Sequence, residues 1–222
     1  MGREKARRVG NIASRRTAGP FLVRYSDRLS SQMHYPRTWL QPSWWTARRI
    51  DHFLKGLRKS GTVLHLGAGA KRLEGAINCD LYDAAADRRW DATDLHEVPS
   101  ASVDLIEHHH LIEHLSAAEL NRALAEWARV LKPGGLLVVS APDLETVLKR
   151  WLAMSERERW DYGIKMIYGS QEHEGMFHKN GFTPHRLASV LGQAGLYQEW
   201  YYRGYPRRPT PSFIAIARKR AD

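Results

Sequence analysis

The sequence predicts an α/β fold: a doubly wound, mostly parallel seven-stranded sheet that ends in a C-terminal antiparallel strand pair. Three observations predict it. From residue 61 onward short apolar runs alternate with amphipathic helical segments, the order that builds a parallel sheet. The apolar run in "VLHLGAGA" (63–70) stops in a glycine turn, as a strand does where it hands over to the next element. Near the C-terminus "LYQEWYYRGY" and "PSFIAIARK" are β-rich and only "PRRPT" separates them, which suits an antiparallel pair.

Residues 1–20 read as a basic, mobile arm, and residues 21–60 as an aromatic extension containing a helix from an N-cap at Ser43 to about Leu57. The main domain is expected over 61–222. Its strands are placed at 62–66, 76–80, 104–108 and 135–140, with a short one before Asp91. A helix at 116–131 carries Leu120, Leu124, Trp127 and Leu131 on one face. "LKPGG" closes that helix, because Pro133 cannot continue it and Gly134-Gly135 make a turn. Residues 156–182 interrupt the alternation with glycines, histidines and mixed polar and aromatic side chains, the character of a lid or substrate-binding insertion.

The net charge of +10 is unevenly placed. Residues 1–60 hold 14 Lys and Arg against 3 Asp and Glu, so the remaining 162 residues, with 20 against 21, are close to neutral. The basic arm can guide an acidic partner or serve only as a solubilising tail. No apolar run approaches the length of a membrane span and no signal-peptide pattern opens the chain, so a cytoplasmic protein is expected. The single cysteine, Cys79, lies in an expected strand and reads as a small core residue.

The stretch "VLHLGAGAKRLEGAINCDLYD" (63–83) carries the first chemistry. Gly67 and Gly69 let the backbone approach a ligand closely, and Asp80 at the end of the next strand points to the same crevice, where a carboxylate can accept hydrogen bonds from a ribose diol. The dinucleotide pattern G-x-G-x-x-G needs a third glycine where this chain has Arg72, so a pyrophosphate-cradling loop fits poorly and a nucleoside without phosphates fits better.

Together "VLHLGAGA", "INCD", "DATDLHEVPSASVDLIEHHHLIEHL", "RVLKPGGLLVVSAPD" and "FHKNGFTPHRLASVLGQAGL" resemble, in order and spacing, the Rossmann-like class I S-adenosylmethionine (SAM)-dependent methyltransferases over about residues 60–218. Within that family the likeness is to small-molecule and saccharide methyltransferases. The resemblance implies that Gly67 and Gly69 lie under the methionine part of SAM and that Asp80, followed by Leu81, holds the ribose. It further implies that Asp91 and Ala92 meet the adenine, that Leu95 covers a ring face, and that the stretch His108, His109 and His110 flanks the methionine and sulfonium, although three consecutive residues at a strand end cannot all face the pocket. His65 stands where the family commonly has an acidic residue and Lys71 where a glycine is frequent, so the amino-acid end of SAM is expected to be held differently.

Methyl transfer to a hydroxyl calls for alignment and a group to take the proton, a role suited to histidine. His173 and His178 in the insertion are the preferred bases, and His114 is a third candidate in a mainly structural motif. Glu172, His173, Glu174 and His178 alternatively offer ligands for Mg²⁺ or Mn²⁺. The Asn/Asp-Pro-Pro-aromatic motif of nucleobase amino methyltransferases is absent. The expected function is therefore SAM-dependent O-methylation of a saccharide or other small molecule. Methylation of RNA or protein guided by the arm, and SAM binding without turnover, stand as alternatives. The sequence does not set the oligomeric state, and a dimer is compatible with it.

Overall fold

The computed structural model describes residues 44–203 and 210–221. The basic arm, the Ser43 cap and the aromatic segment up to residue 43 lie outside the described residues. Helix α1 (Trp44–Ser60) leads into β1 (Val63–Leu66), followed by β2 (Ile77–Cys79), β3 (Val103–His109), α2 (Ala117–Val130), β4 (Leu131–Pro142) and α3 (Leu144–Ala153). The expected insertion contains α4 (Glu156–Glu158), a π-helical turn and α5 (Ile164–Tyr168), after which α6 (Pro184–Gln193), β5 (Leu196–Arg203) and β6 (Ser212–Lys219) complete the chain.

The sheet has the order β2-β1-β3-β4-β6-β5. β2, β1, β3 and β4 are parallel, while β6 joins β4 and β5 joins β6 in antiparallel fashion. Among the described residues six strands form where seven were expected. The strand placed before Asp91 shrinks to a single parallel bridge between Arg88 and Cys79: the Asp83 side chain holds the Ala85 amide in a local turn, and the Asp87 carboxylate takes the Asn78 amide at the edge of β2. β4 starts directly at Leu131, and Gly134 (φ 75°) absorbs a register shift before Leu136 pairs with Leu105.

Strand alternation sorts the sheet into two cores. Ile106, Leu64, Leu66, Leu137 and Val139 face α2 and pack with its buried Leu120, Leu124 and Trp127. Leu105, Val63, Leu136 and Val138 face the other way and enclose Leu54 of α1. Arg58 at the end of α1 reaches the buried Glu107 of β3 through paired guanidinium contacts of 2.7–3.0 Å. A capping box at Ser116 and Glu119 starts α2. Cys79 is buried and its thiol, desolvated by that burial, is pushed up to about 12, in keeping with a core residue. Among the described residues no helix is long and apolar enough to cross a membrane.

Candidate active site

The sheet order reverses between β1 and β3, and the loops leaving the carboxyl ends of β1, β2 and β3 surround a cleft of about 510 Å³. Gly67 (φ 62°) and Gly69 (φ 50°) form its floor, and a Cβ added to Gly69 would project into open space. Asp80 organises the rim. Its Oδ2 accepts from the Gly69 amide at 2.8 Å, and its Oδ1 accepts from the amides of Tyr82 (2.8 Å) and Asp83 (2.9 Å). Oδ2 thus keeps a lone pair for a ligand. Leu81, Asp91 and Ala92 also line the cleft. Helix α2 fixes the loop carrying the last two: Trp127 donates to Ala92 O (2.9 Å), and Glu126 and Arg129 bind the backbone of Leu95.

The three consecutive histidines after Glu107 go to three environments. His108 is fully buried against Trp127, and neither ring nitrogen has a hydrogen-bond partner among the described residues. Burial keeps its ring neutral well below the usual histidine range, reinforced by the neighbouring histidines. His109 contacts Glu107 (2.9 Å) on the α1 face of the sheet. His110, at φ 57°, leaves the strand and lines the cleft with Leu111. Of the three histidines expected beside the methionine and sulfonium, only His110 lines the cleft, joined by Leu111, while His108 and His109 do not reach it. The physical reason is the period of two: a strand cannot aim adjacent side chains at one end pocket. Leu95 is likewise buried in the core and covers no part of the cleft. His65, also buried, is held by Asn78 Oδ1 (3.0 Å), and desolvation lowers its pKa.

A second cavity of about 220 Å³ adjoins the first, and His110, His114 and Met176 line both. Glu113, Tyr162, Lys165, Ser170 and His178 complete it. The insertion is seated here by backbone bonds: His178 N–H donates to Tyr168 O (3.0 Å), and Lys179 and Asn180 N–H donate to Glu113 O. Gly169 (φ 81°) permits this approach, since a Cβ there would meet the Met176 carbonyl. His114 donates its Nδ1 hydrogen to Phe177 O (3.1 Å), and its ring faces that of His178 at 5.0 Å. Burial lowers the pKa of His178, only partly opposed by Glu113. Burial alone would raise Glu113, but the contact with His110 and the charge of His114 hold its carboxyl below the ordinary range.

The structure brings His114 and His178 together and puts His173 elsewhere. His173 lines the larger cleft, its ring 5.2 Å from that of Tyr82. The expected ligand set of Glu172, His173, Glu174 and His178 is not assembled, because the 3₁₀ turn at Glu174–Met176 directs His173 Nδ1 to the Gly175 amide and away from His178. Sequence reasoning also missed Tyr82, Trp90, Glu119 and Arg122 as cleft residues. The helical spacing of Glu119 and Arg122 after the "EHL" turn was the available signal for the last pair.

Residues 67–139 match the family described as the methyltransferase domain. The fold is shared with a SAM-dependent methyltransferase from Methanosarcina mazei, with 15% identity over 77% of this chain and 98% of that one and a TM-score of 0.56. The segment match and the shared fold are those expected of a class I SAM-dependent methyltransferase domain. Two further methyltransferase structures share the fold. One is the 1,6-didemethyltoxoflavin-N1-methyltransferase of Burkholderia thailandensis with bound 1,6-didemethyltoxoflavin and S-adenosylhomocysteine, at 18% identity over 79% and 77% of the two chains and TM-score 0.53. The other is a SAM-dependent methyltransferase from Archaeoglobus fulgidus, at 15% identity over 79% and 94% and TM-score 0.52. No curated protein matches the chain. The matched segment runs from the glycine floor of the cleft through α2 into β4 as far as Val139, and so spans much of the cleft's framework.

Proposed function

We propose that the chain transfers a methyl group from SAM to a hydroxyl of a small-molecule acceptor, with a saccharide as the preferred class. The observation that carries this reading is the junction of two cavities through the shared residues His110, His114 and Met176. The larger cleft fits the nucleoside: the open space over Gly69 admits a ligand against the backbone, Asp80 Oδ2 has a lone pair for a ribose hydroxyl, and Asp91 and Ala92 meet the adenine. Bound there, SAM supplies an electrophilic methyl on sulfur. The smaller cavity holds the acceptor, whose hydroxyl lies against His114 and His178.

Because the Nδ1 hydrogen of His114 is committed to Phe177 O, its Nε2 keeps the lone pair in the neutral ring. The proton-accepting role therefore falls to the His114–His178 pair, either through a bare ring nitrogen or through an ion that the pair holds. His173, beside Tyr82, belongs to the SAM side. Tyr162 and Lys165 supply polar contacts for acceptor hydroxyls.

The test is incubation of the full-length chain with methyl-labelled SAM against a panel of saccharides and polyols, heteroaromatic amines and total RNA. Label on a saccharide or polyol oxygen supports the reading. Label confined to nitrogen, the acceptor atom that the Burkholderia enzyme's name specifies, or confined to RNA, overturns the hydroxyl assignment.

A further inference from the structure

We propose that Glu113, His114 and His178 form a binding site for a divalent transition-metal ion in the wall of the smaller cavity. One ligand atom from each lies within 4.8 Å of the other two, although 113–114 follow β3 and 178 comes from the insertion. Donors about 2.1 Å from a single ion stand no more than about 4.2 Å apart, so the three would draw slightly together on binding.

The second observation is the state of Glu113. Its side chain is only 2% exposed, its one close charged partner is His110, whose Nδ1 lies 2.9 Å from Oε1, and Oε2 has no hydrogen-bond partner among the described residues. A buried carboxylate left in this way is costly unless a cation completes it.

The third is the support behind both imidazoles. His114 is fixed by the Phe177 carbonyl, and the His178 ring is hydrogen-bonded to the backbone of Ile167. Ligating histidines are oriented in this manner, with one nitrogen tied to the protein and the other left for the metal. Two imidazoles with one carboxylate suit Mn²⁺, Fe²⁺, Co²⁺ or Zn²⁺ better than Ca²⁺, and leave coordination positions for oxygen atoms from the cavity. The role of the ion rests on the hydroxyl-methylation reading: an acceptor hydroxyl on the ion loses its proton to solvent more readily and is held at the junction.

The experiment uses the full-length chain, stripped with EDTA and dialysed, then titrated with MnCl₂ by calorimetry and with CoCl₂ by visible absorption. Wild type should bind one ion, and Glu113→Gln and His178→Ala should each weaken Mn²⁺ binding at least tenfold while SAM affinity stays within about twofold. If Glu113→Gln fails to fold, His178→Ala carries the comparison. Absence of saturable one-to-one binding, or unchanged affinity in His178→Ala, overturns the site. Labelled methyl transfer that persists in EDTA, with no ion bound, overturns the ion's role and leaves the methyltransferase reading standing. Ion binding lost in both variants of a protein that binds no SAM supports the site and sinks that reading instead.

Discussion

His114 and Phe177, 63 residues apart, are joined by a single hydrogen bond from the ring Nδ1 to the carbonyl oxygen at 3.1 Å. That bond ties the turn after β3 to the insertion and sets which nitrogen of His114 carries the lone pair. It also separates the histidines by role, which leads to the first prediction. His178→Ala should cut turnover by two orders of magnitude or more with SAM affinity nearly unchanged, as expected for a group that meets the acceptor. His173→Ala should instead raise the dissociation constant for SAM several-fold and leave turnover at saturation close to wild type. Calorimetry and steady-state rates distinguish the two; the reverse pattern would exchange the cavities.

Asp80→Ala should weaken SAM binding by tenfold or more, since a charge-assisted hydrogen bond contributes about 1.5–3 kcal/mol. The structure adds a second effect. Three backbone amides lose their acceptor, so the melting temperature should fall as well. Asp91→Ala, which removes one backbone contact at Thr93, should do less on both counts. Parallel titration and thermal melts check this.

Gly169→Ala should damage catalysis without touching the site directly. The added Cβ meets the Met176 carbonyl and the φ of 81° disfavours any side chain, a strain of about 1–3 kcal/mol. The strand-like contact that seats His178 should open, lowering the turnover number while SAM still binds. A wild-type rate in this variant would show that the seat is not needed.

Stability should fall on acidification below about pH 6.5, the unfolded histidine value. His108 has a depressed pKa in the fold through burial, so it is neutral when folded and takes up a proton when unfolded. The unfolded state then binds more protons, and stability declines as pH drops from 6.5 toward the folded value, by at most about 1.4 kcal/mol per pH unit for one group. His108→Leu should flatten this part of the denaturant-derived stability profile. An unchanged slope would assign the effect to His65 and His178, whose pKa values are also lowered.

Arg58→Ala should cost about 3–5 kcal/mol at neutral pH, because it leaves a buried carboxylate with only His109 as partner. Burial would raise the Glu107 pKa, but the His109 and Arg58 hydrogen bonds outweigh it, so the ionised form is favoured and the penalty should shrink as pH falls through the depressed folded value. Urea denaturation at pH 7 and pH 4 measures both.

Much of the fold was legible because period and punctuation agree: "VLHLGAGA" ends where Gly67 turns, α2 runs 117–130 against an expected 116–131, and the two C-terminal runs pair as anticipated. The missing strand was not, because Asp83 makes a local side-chain turn and Asp87 takes the Asn78 amide at the edge of β2, both in competition with the ladder. In the site, Gly67, Gly69 and Asp80 line the cleft, and so do Leu81, Asp91 and Ala92, the positions that the family resemblance pointed to. The histidines were harder. Which of three adjacent rings faces a pocket depends on where the strand ends, and the meeting of His114 with His178 depends on a backbone contact at Gly169 that no local pattern announces.

The divergence of His108, His109 and His110 has a consequence for how this sequence can change. Deleting one histidine codon of the three would leave the composition almost untouched. Yet every residue on one side of the gap would shift by one place, exchanging inward for outward positions. A polar ring or the Glu107 charge would then be driven against Trp127, or the turn that carries Glu113 and His114 would be pulled a residue closer to the sheet. Mutational tolerance in this stretch is therefore predicted to be lower for a one-residue deletion than for replacing any single histidine, an asymmetry that a deep mutational scan including deletions would display.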